Sequence, residues 1–231
     1  MNQNDLNLER RKKAVLYDKK WKLFLHRARL FQYIPFVDFV FGAGSMALGN
    51  VNVNSDFDVI VGVRKGRIFM VRFFCVLYFE IFGWRRPKNH LSNDDIRDRI
   101  CLNHFVAPGG YELALPHNDY WRMLYKNLIP IYGDSNIMSV FFKKNERWAG
   151  KLVFRKYDLR YKHKIASSFK AFFEFILGSV LGDAVESFLK KWQVLKIKRS
   201  LHNWYATSKP RVIYTNDVIE FHLEYVPLKI I

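Results

Sequence analysis

Asp56 and Asp58 stand one residue apart within "FGAGSMALGNVNVNSDFDVIVGV", residues 41–63, where a glycine-serine turn and an asparagine-rich loop lead into an apolar run. Residues two apart on a β-strand share a face, so these carboxylates repel one another unless a cation holds them. Paired hard oxygen ligands suit Mg²⁺, which also bridges the phosphates of a nucleoside triphosphate. Upstream, Gly44 and Ser45 follow a short apolar run, and a turn of that kind can aim backbone N–H groups and a hydroxyl at phosphate. Turn and carboxylates together describe a phosphoryl-transfer site. A calcium loop is excluded: an EF-hand begun at Asn54 needs glycine where Val59 stands and glutamate where Lys65 stands, and one begun at Asn52 fails equally at Phe57 and Val63.

Positioning these groups takes two adjacent strands. "FVDFVFGAGS" reads as a strand running into the Gly42 and Gly44 turn, and "FDVIVGV" as a strand covered on both faces. Residues 14–34, with apolar positions at three and four spacing, predict an amphipathic helix ended by Pro35. Residues 67–82 predict a helix stopped at Gly83, and "RICLNHFV" a third strand. "APGG" with "YELAL" suggests a hairpin, and "HNDYWRMLYKNLI" a helix capped by Asn118 or Asp119 and ended by Pro130. "SKPRVIYTND", residues 208–217, offers a short late strand.

Gly44-Ser45, ten intervening residues and Asp56-Phe57-Asp58-Val59, set between two apolar strands, resemble the signature of the polymerase-beta-like nucleotidyltransferase superfamily. The resemblance spans Ile34 to Gly133, and "LIPIYGD" is similar to the segment that often closes the minimal domain. It implies an α+β fold: a small mixed β-sheet flanked by helices. It implies transfer of a nucleoside monophosphate from a triphosphate to a hydroxyl, with release of pyrophosphate. On this reading Asp56 and Asp58 are catalytic and ligate Mg²⁺, and Gly44 and Ser45 hold the triphosphate. Arg64 and Lys65, just past the aspartate strand, read as a solvated basic turn or, if that strand end faces the site, as ligands of the same phosphates. Many members add a third carboxylate on a later strand. Here "RICLNHFV" offers Cys101 and Asn103 on one face, neither a carboxylate, which leaves Asp98 and Glu112 as substitutes. A catalytically impaired protein of the same fold, serving as a nucleic-acid-binding module, is the alternative.

The chain carries 38 Lys plus Arg against 21 Asp plus Glu, a formal charge of +17 that favours acidic partners such as nucleic acid or anionic membrane. An excess of ten positive charges lies beyond residue 138, so residues 1–138 are expected to form the nucleotidyltransferase domain and 139–231 a basic, mostly helical unit. Residues 190–211 interleave aromatics with Lys and Arg, as RNA binders do; equally, Trp192, Leu195 and Ile197 can be the buried stripe of a basic helix. Residues 67–84 and 172–182 are too short or too charged to span a membrane, although a surface helix remains open for the second. Two cysteines, Cys75 and Cys101, give no disulfide framework and read as core filling, His104 as a packed residue and His117 as a cap or surface residue. The first residues lack a secretory pattern, so a cytoplasmic protein is expected.

Overall fold

Val37–Gly42 forms strand β1, buried along its whole length, and Phe57–Val63 forms β2, paired antiparallel to it. Ile100–Val106 forms β3, parallel to β2, with Asp58 opposite Cys101. These elements come from a computed structural model that describes residues 3–87, 96–152, 157–163, 167–204 and 211–222, without the side chains of 202–204. Its sheet has seven strands in the order β5-β4-β1-β2-β3-β7-β6, where β4 is Ile129–Gly133, β5 Lys162–His163, β6 Arg211–Tyr214 and β7 Val218–His222. The β2–β3 and β4–β5 pairs are parallel and the others antiparallel, so the fold is α+β with a mixed sheet.

Alternation along β2 divides the core. Phe57, Val59, Val61 and Val63 pack with Trp21 and Phe24 of α1 (Gln3–Ala28) and with Phe69 and Phe79 of α3 (Ile68–Ile81). Ile60 belongs to a second cluster with Trp121 of α4 (Asp119–Lys126) and Phe141 of α5 (Ser135–Ala149). Helices therefore cover both faces, and Asp56 and Asp58 share the phase of Ile60. Asn118 caps α4, its side chain accepting from the Trp121 N–H at 2.9 Å.

Three expectations change. The boundary at residue 138 falls inside α5, and β5, β6 and β7 of the C-terminal half extend the sheet of the first half. "YELAL" makes no strand; it follows the 3-10 turn Pro108–Gly110, and Glu112 is exposed. Pro130 lies within β4, the helix before it having ended at Asn127. The late strand is present at Arg211–Tyr214 as one arm of the β6–β7 hairpin, which joins the sheet through β3; residues 208–210 of that stretch lie outside the described residues.

Candidate metal and phosphate site

A five-residue helix, α2 (Gly44–Leu48), leaves the end of β1 and is closed by Gly49 at φ +74°. Its first residue, Gly44, sits at φ +57°, a region that side-chain-bearing residues rarely adopt. A Cβ there would come within 2.0 Å of Asp58 Oδ2. Only glycine lets the turn close onto the aspartate, and the Ala43 N–H donates to the Asp58 carbonyl at 3.0 Å.

Lys20 of α1 anchors the asparagine loop before β2. Its ammonium is buried and donates to the carbonyls of Val53 and Ser55, both at 2.7 Å, and pairs with Asp98 at 2.8 Å. Asp98 is thus held by Lys20 and lies outside the cluster that Asp56 and Asp58 form with Cys101. Ser55 Oγ accepts from the Asn52 N–H at 2.9 Å, and the Asp98 N–H donates to the Ser55 carbonyl at 3.1 Å, which fixes the approach to Asp56.

Arg86 meets the charge of the two carboxylates. Gly83, at φ +65°, ends α3, and the chain then runs beside β3: the Ile100 N–H donates to the Trp84 carbonyl at 2.7 Å, and the Arg86 N–H to the Ile100 carbonyl at 2.9 Å. This course puts the Arg86 guanidinium 2.7 Å from Asp56 Oδ2 and 3.7 Å from Cys101 Sγ. Cys101 takes the β3 position opposite Asp58, and its sulfur and one oxygen of each aspartate lie within 4.8 Å of one another. It is buried as expected, yet it faces the site rather than filling the core. Burial, then the aspartates, push its thiol well up, so it stands beside them as a neutral S–H.

Burial, and next the neighbouring Asp56 charge, raise Asp58 to about 7, with Arg86 pulling the other way. One guanidinium leaves the pair short of positive charge near neutral pH. Between the unfolded aspartate value near 4 and about 7, the folded protein holds a proton that the unfolded chain has lost, so this group costs stability as pH rises through that window. Metal-free Asp58→Asn should therefore gain on wild type from pH 4 to 7, by up to roughly 4 kcal/mol, and then stay level. Burial lowers His104 and His222 to about 3, and their effect runs oppositely, with stability rising up to about pH 6.5. The difference between the two proteins in urea unfolding with EDTA cancels the histidines; a constant difference would contradict the raised Asp58.

Two hollows meet at Asp58. One, of about 380 Å³, is lined by Gly44, Asp58, Arg86, Cys101, Trp121 and His222 among others; a more open one is lined by Ser45, Asn52, Asn54, Asp56 and Asp58. Deep in the first, His222 Nε2 lies 3.5 Å from His104 Nδ1 and 3.6 Å from Glu220 Oε1. That trio has metal-ligating types, but the buried Glu220 already pairs with Arg211 Nε at 2.7 Å, and Arg211 also donates to the Ala114 carbonyl at 2.8 Å. A guanidinium thus fills the cationic place there.

Gly44, Ser45, Asp56 and Asp58 come together as expected. Arg64 and Lys65 do not: they follow the opposite end of β2, roughly 20 Å from Asp58 along the strand. Arg64 pairs with Glu174 at 3.0 Å and Asp38 at 3.6 Å, while Lys65 is exposed in a turn. His117 is a packing residue, stacked on Trp148 at 4.1 Å with Nε2 2.7 Å from the Leu113 carbonyl. Lys20 and Arg86 were not picked out from sequence. The "RRP" that carries Arg86 had only the look of a polar loop, and Lys20 that of one cation among many on a basic helix. No family model, no curated protein and no solved structure matches this chain.

Proposed function

We propose that this protein is a Mg²⁺-dependent nucleotidyltransferase, moving a nucleoside monophosphate from a nucleoside triphosphate to an acceptor hydroxyl and releasing pyrophosphate. The observation that supports this reading is the close fit of the Gly44 turn against Asp58, whose carboxylate is raised and lies beside Asp56 and Cys101. The donor set suits the metal: two carboxylates supply hard oxygens, while the Cys101 thiol is a soft donor that Mg²⁺ does not seek. When bound, Mg²⁺ would neutralise the charge that builds on the leaving pyrophosphate. Asp56 and Asp58 would hold it, and Asp58, deprotonated in its presence, would face the acceptor oxygen. Ser45 and Asn52, which line the open hollow, would hydrogen-bond the phosphates, and Arg86 would offer them its guanidinium. The enclosed hollow, with Trp121 on its wall, would take the nucleoside.

The antiparallel β1–β2 pair joined through α2, with β3 parallel to β2, also suits the superfamily that the motif resembles. The +17 charge favours an anionic acceptor, RNA among them. A second reading, a nucleotide- or RNA-binding module without catalysis, draws on Arg86 at Asp56 and on Cys101 where a third carboxylate would help activate the acceptor. Incubation with Mg²⁺, each of the four triphosphates and total RNA or lysate separates the two. Metal-dependent pyrophosphate release with label transfer supports the enzyme, whereas triphosphate binding with no release by the folded protein supports the module.

A further inference from the structure

Helix α6, Ser168–Leu177, is turned against the usual order: its charges point in and its aromatics point out. Lys170 is buried and donates to the Val37 carbonyl at 2.7 Å; Glu174 accepts from the Phe36 N–H at 2.8 Å and pairs with Arg64. Phe169, Phe172 and Phe175, spaced by three, are 50%, 59% and 84% exposed. In the next helix, α7 (Val180–Trp204), Val180, Leu181, Phe188, Trp192 and Leu195 are exposed as well. The last four recur at intervals of seven, four and three, which puts them on one face.

The opposite face of α7 is fully engaged. Glu186 accepts from the N–H groups of Phe69 and Met70, Gln193 bonds the Phe69 carbonyl and Arg72, and Leu189 and Ile197 are buried. The outer stripe is therefore surplus to the fold. Of the two readings of residues 190–211, the buried stripe holds for Ile197 and fails for Trp192 and Leu195. On a helical projection Lys191 and Lys198 border the stripe on one side and Lys196 on the other, with Arg199 at its far end. Lys196 Nζ lies 4.0 Å over the Trp192 ring, and no acidic residue occurs from Leu189 to Trp204.

We propose that the outer face of α6 and α7 docks on an anionic lipid surface, with both helices lying in the headgroup boundary. Phe, Trp and Leu on one face edged by lysine is what an interfacial helix needs, since the rings enter the acyl boundary while the ammonium groups stay at the phosphates. An RNA surface would need the cations without six outward Phe and Leu side chains. Neither helix spans: among the described residues none is long and apolar enough to cross a membrane. The positive charge of the whole chain adds to the attraction.

Flotation of the full chain with phosphatidylglycerol–phosphatidylcholine vesicles, against phosphatidylcholine alone, tests the docking. Binding to the anionic vesicles is expected, with each of Phe172→Ser, Phe175→Ser and Phe188→Ser weakening it roughly tenfold. These rings are exposed, so the circular dichroism and melting temperature should hold. As a readout that needs no variant, brominated acyl chains should quench the wild-type tryptophan fluorescence. Failure to float at low salt, flotation that the triple Phe variant retains in full, or no bromine quenching would each overturn the proposal. So would single-stranded RNA binding without vesicle binding, or a dimer in sedimentation that the Phe variants abolish and that does not float; these give the face to RNA or to a second copy.

Discussion

Replacing Asp58 with asparagine should lower triphosphate-dependent pyrophosphate release by about a thousandfold or more, while raising the stability of the metal-free protein at neutral pH. The two effects share one cause. Asp58 is held near Asp56 in a low-polarity setting with less positive charge than two carboxylates require, so its ionised form is costly until a divalent cation arrives. Asp56→Asn should abolish activity as fully yet differ in stability. It removes the carboxylate 2.7 Å from Arg86, and it also lifts from Asp58 the neighbouring charge that helps to raise it, so the remaining Asp58 carboxylate ionises more readily and faces the guanidinium. The metal-free melting temperatures should therefore rank Asp58→Asn above wild type and above Asp56→Asn, which still buries an ionisable carboxylate, and neither variant should gain from Mg²⁺ or Mn²⁺ with a triphosphate. A wild-type metal response in both variants would remove these aspartates from the site, and the proposed reaction with them.

What was legible in the sequence follows from the period of the signal. β1 and β2 were readable because strands covered on both faces are apolar almost throughout, so Asp58 in β2 and Asp56 just before it stood out as a pair against the background. Arg86 was not, because it reaches Asp56 through a left-handed glycine and a backbone pairing with Ile100, a tertiary event that leaves no periodic trace. The partners of Arg64 were hidden for a related reason: Glu174 lies on a helix whose inward face is charged, so an amphipathic reading of α6 points its residues the wrong way. The domain boundary misled because charge density changes near residue 139 while the sheet does not. β5, β6 and β7 are two to five residues long, and strands that short are weak in any sequence pattern.

Gly44→Ala provides the sharpest geometric test, because it adds one methyl group and no charge. Its Cβ would lie 2.0 Å from Asp58 Oδ2 and 2.8 Å from Cγ, so either the aspartate must leave its position or α2 must lift from β2. The φ of +57° adds a left-handed penalty of roughly 1–2 kcal/mol for alanine. Gly49→Ala separates the two contributions. Its φ is +74°, but a Cβ there meets nothing within 4 Å, so it should show the backbone penalty alone and keep its activity. Gly44→Ala should lose more stability than Gly49→Ala and, with both aspartates still present, lose metal-dependent triphosphate binding by at least about tenfold. Calorimetry of triphosphate binding with Mg²⁺, alongside urea unfolding of both variants, provides the comparison. If Gly44→Ala binds as wild type does and is no less stable than Gly49→Ala, then the close approach of the turn to Asp58 plays no part in holding phosphate, and the pairing of turn and carboxylate that identifies the site falls with it.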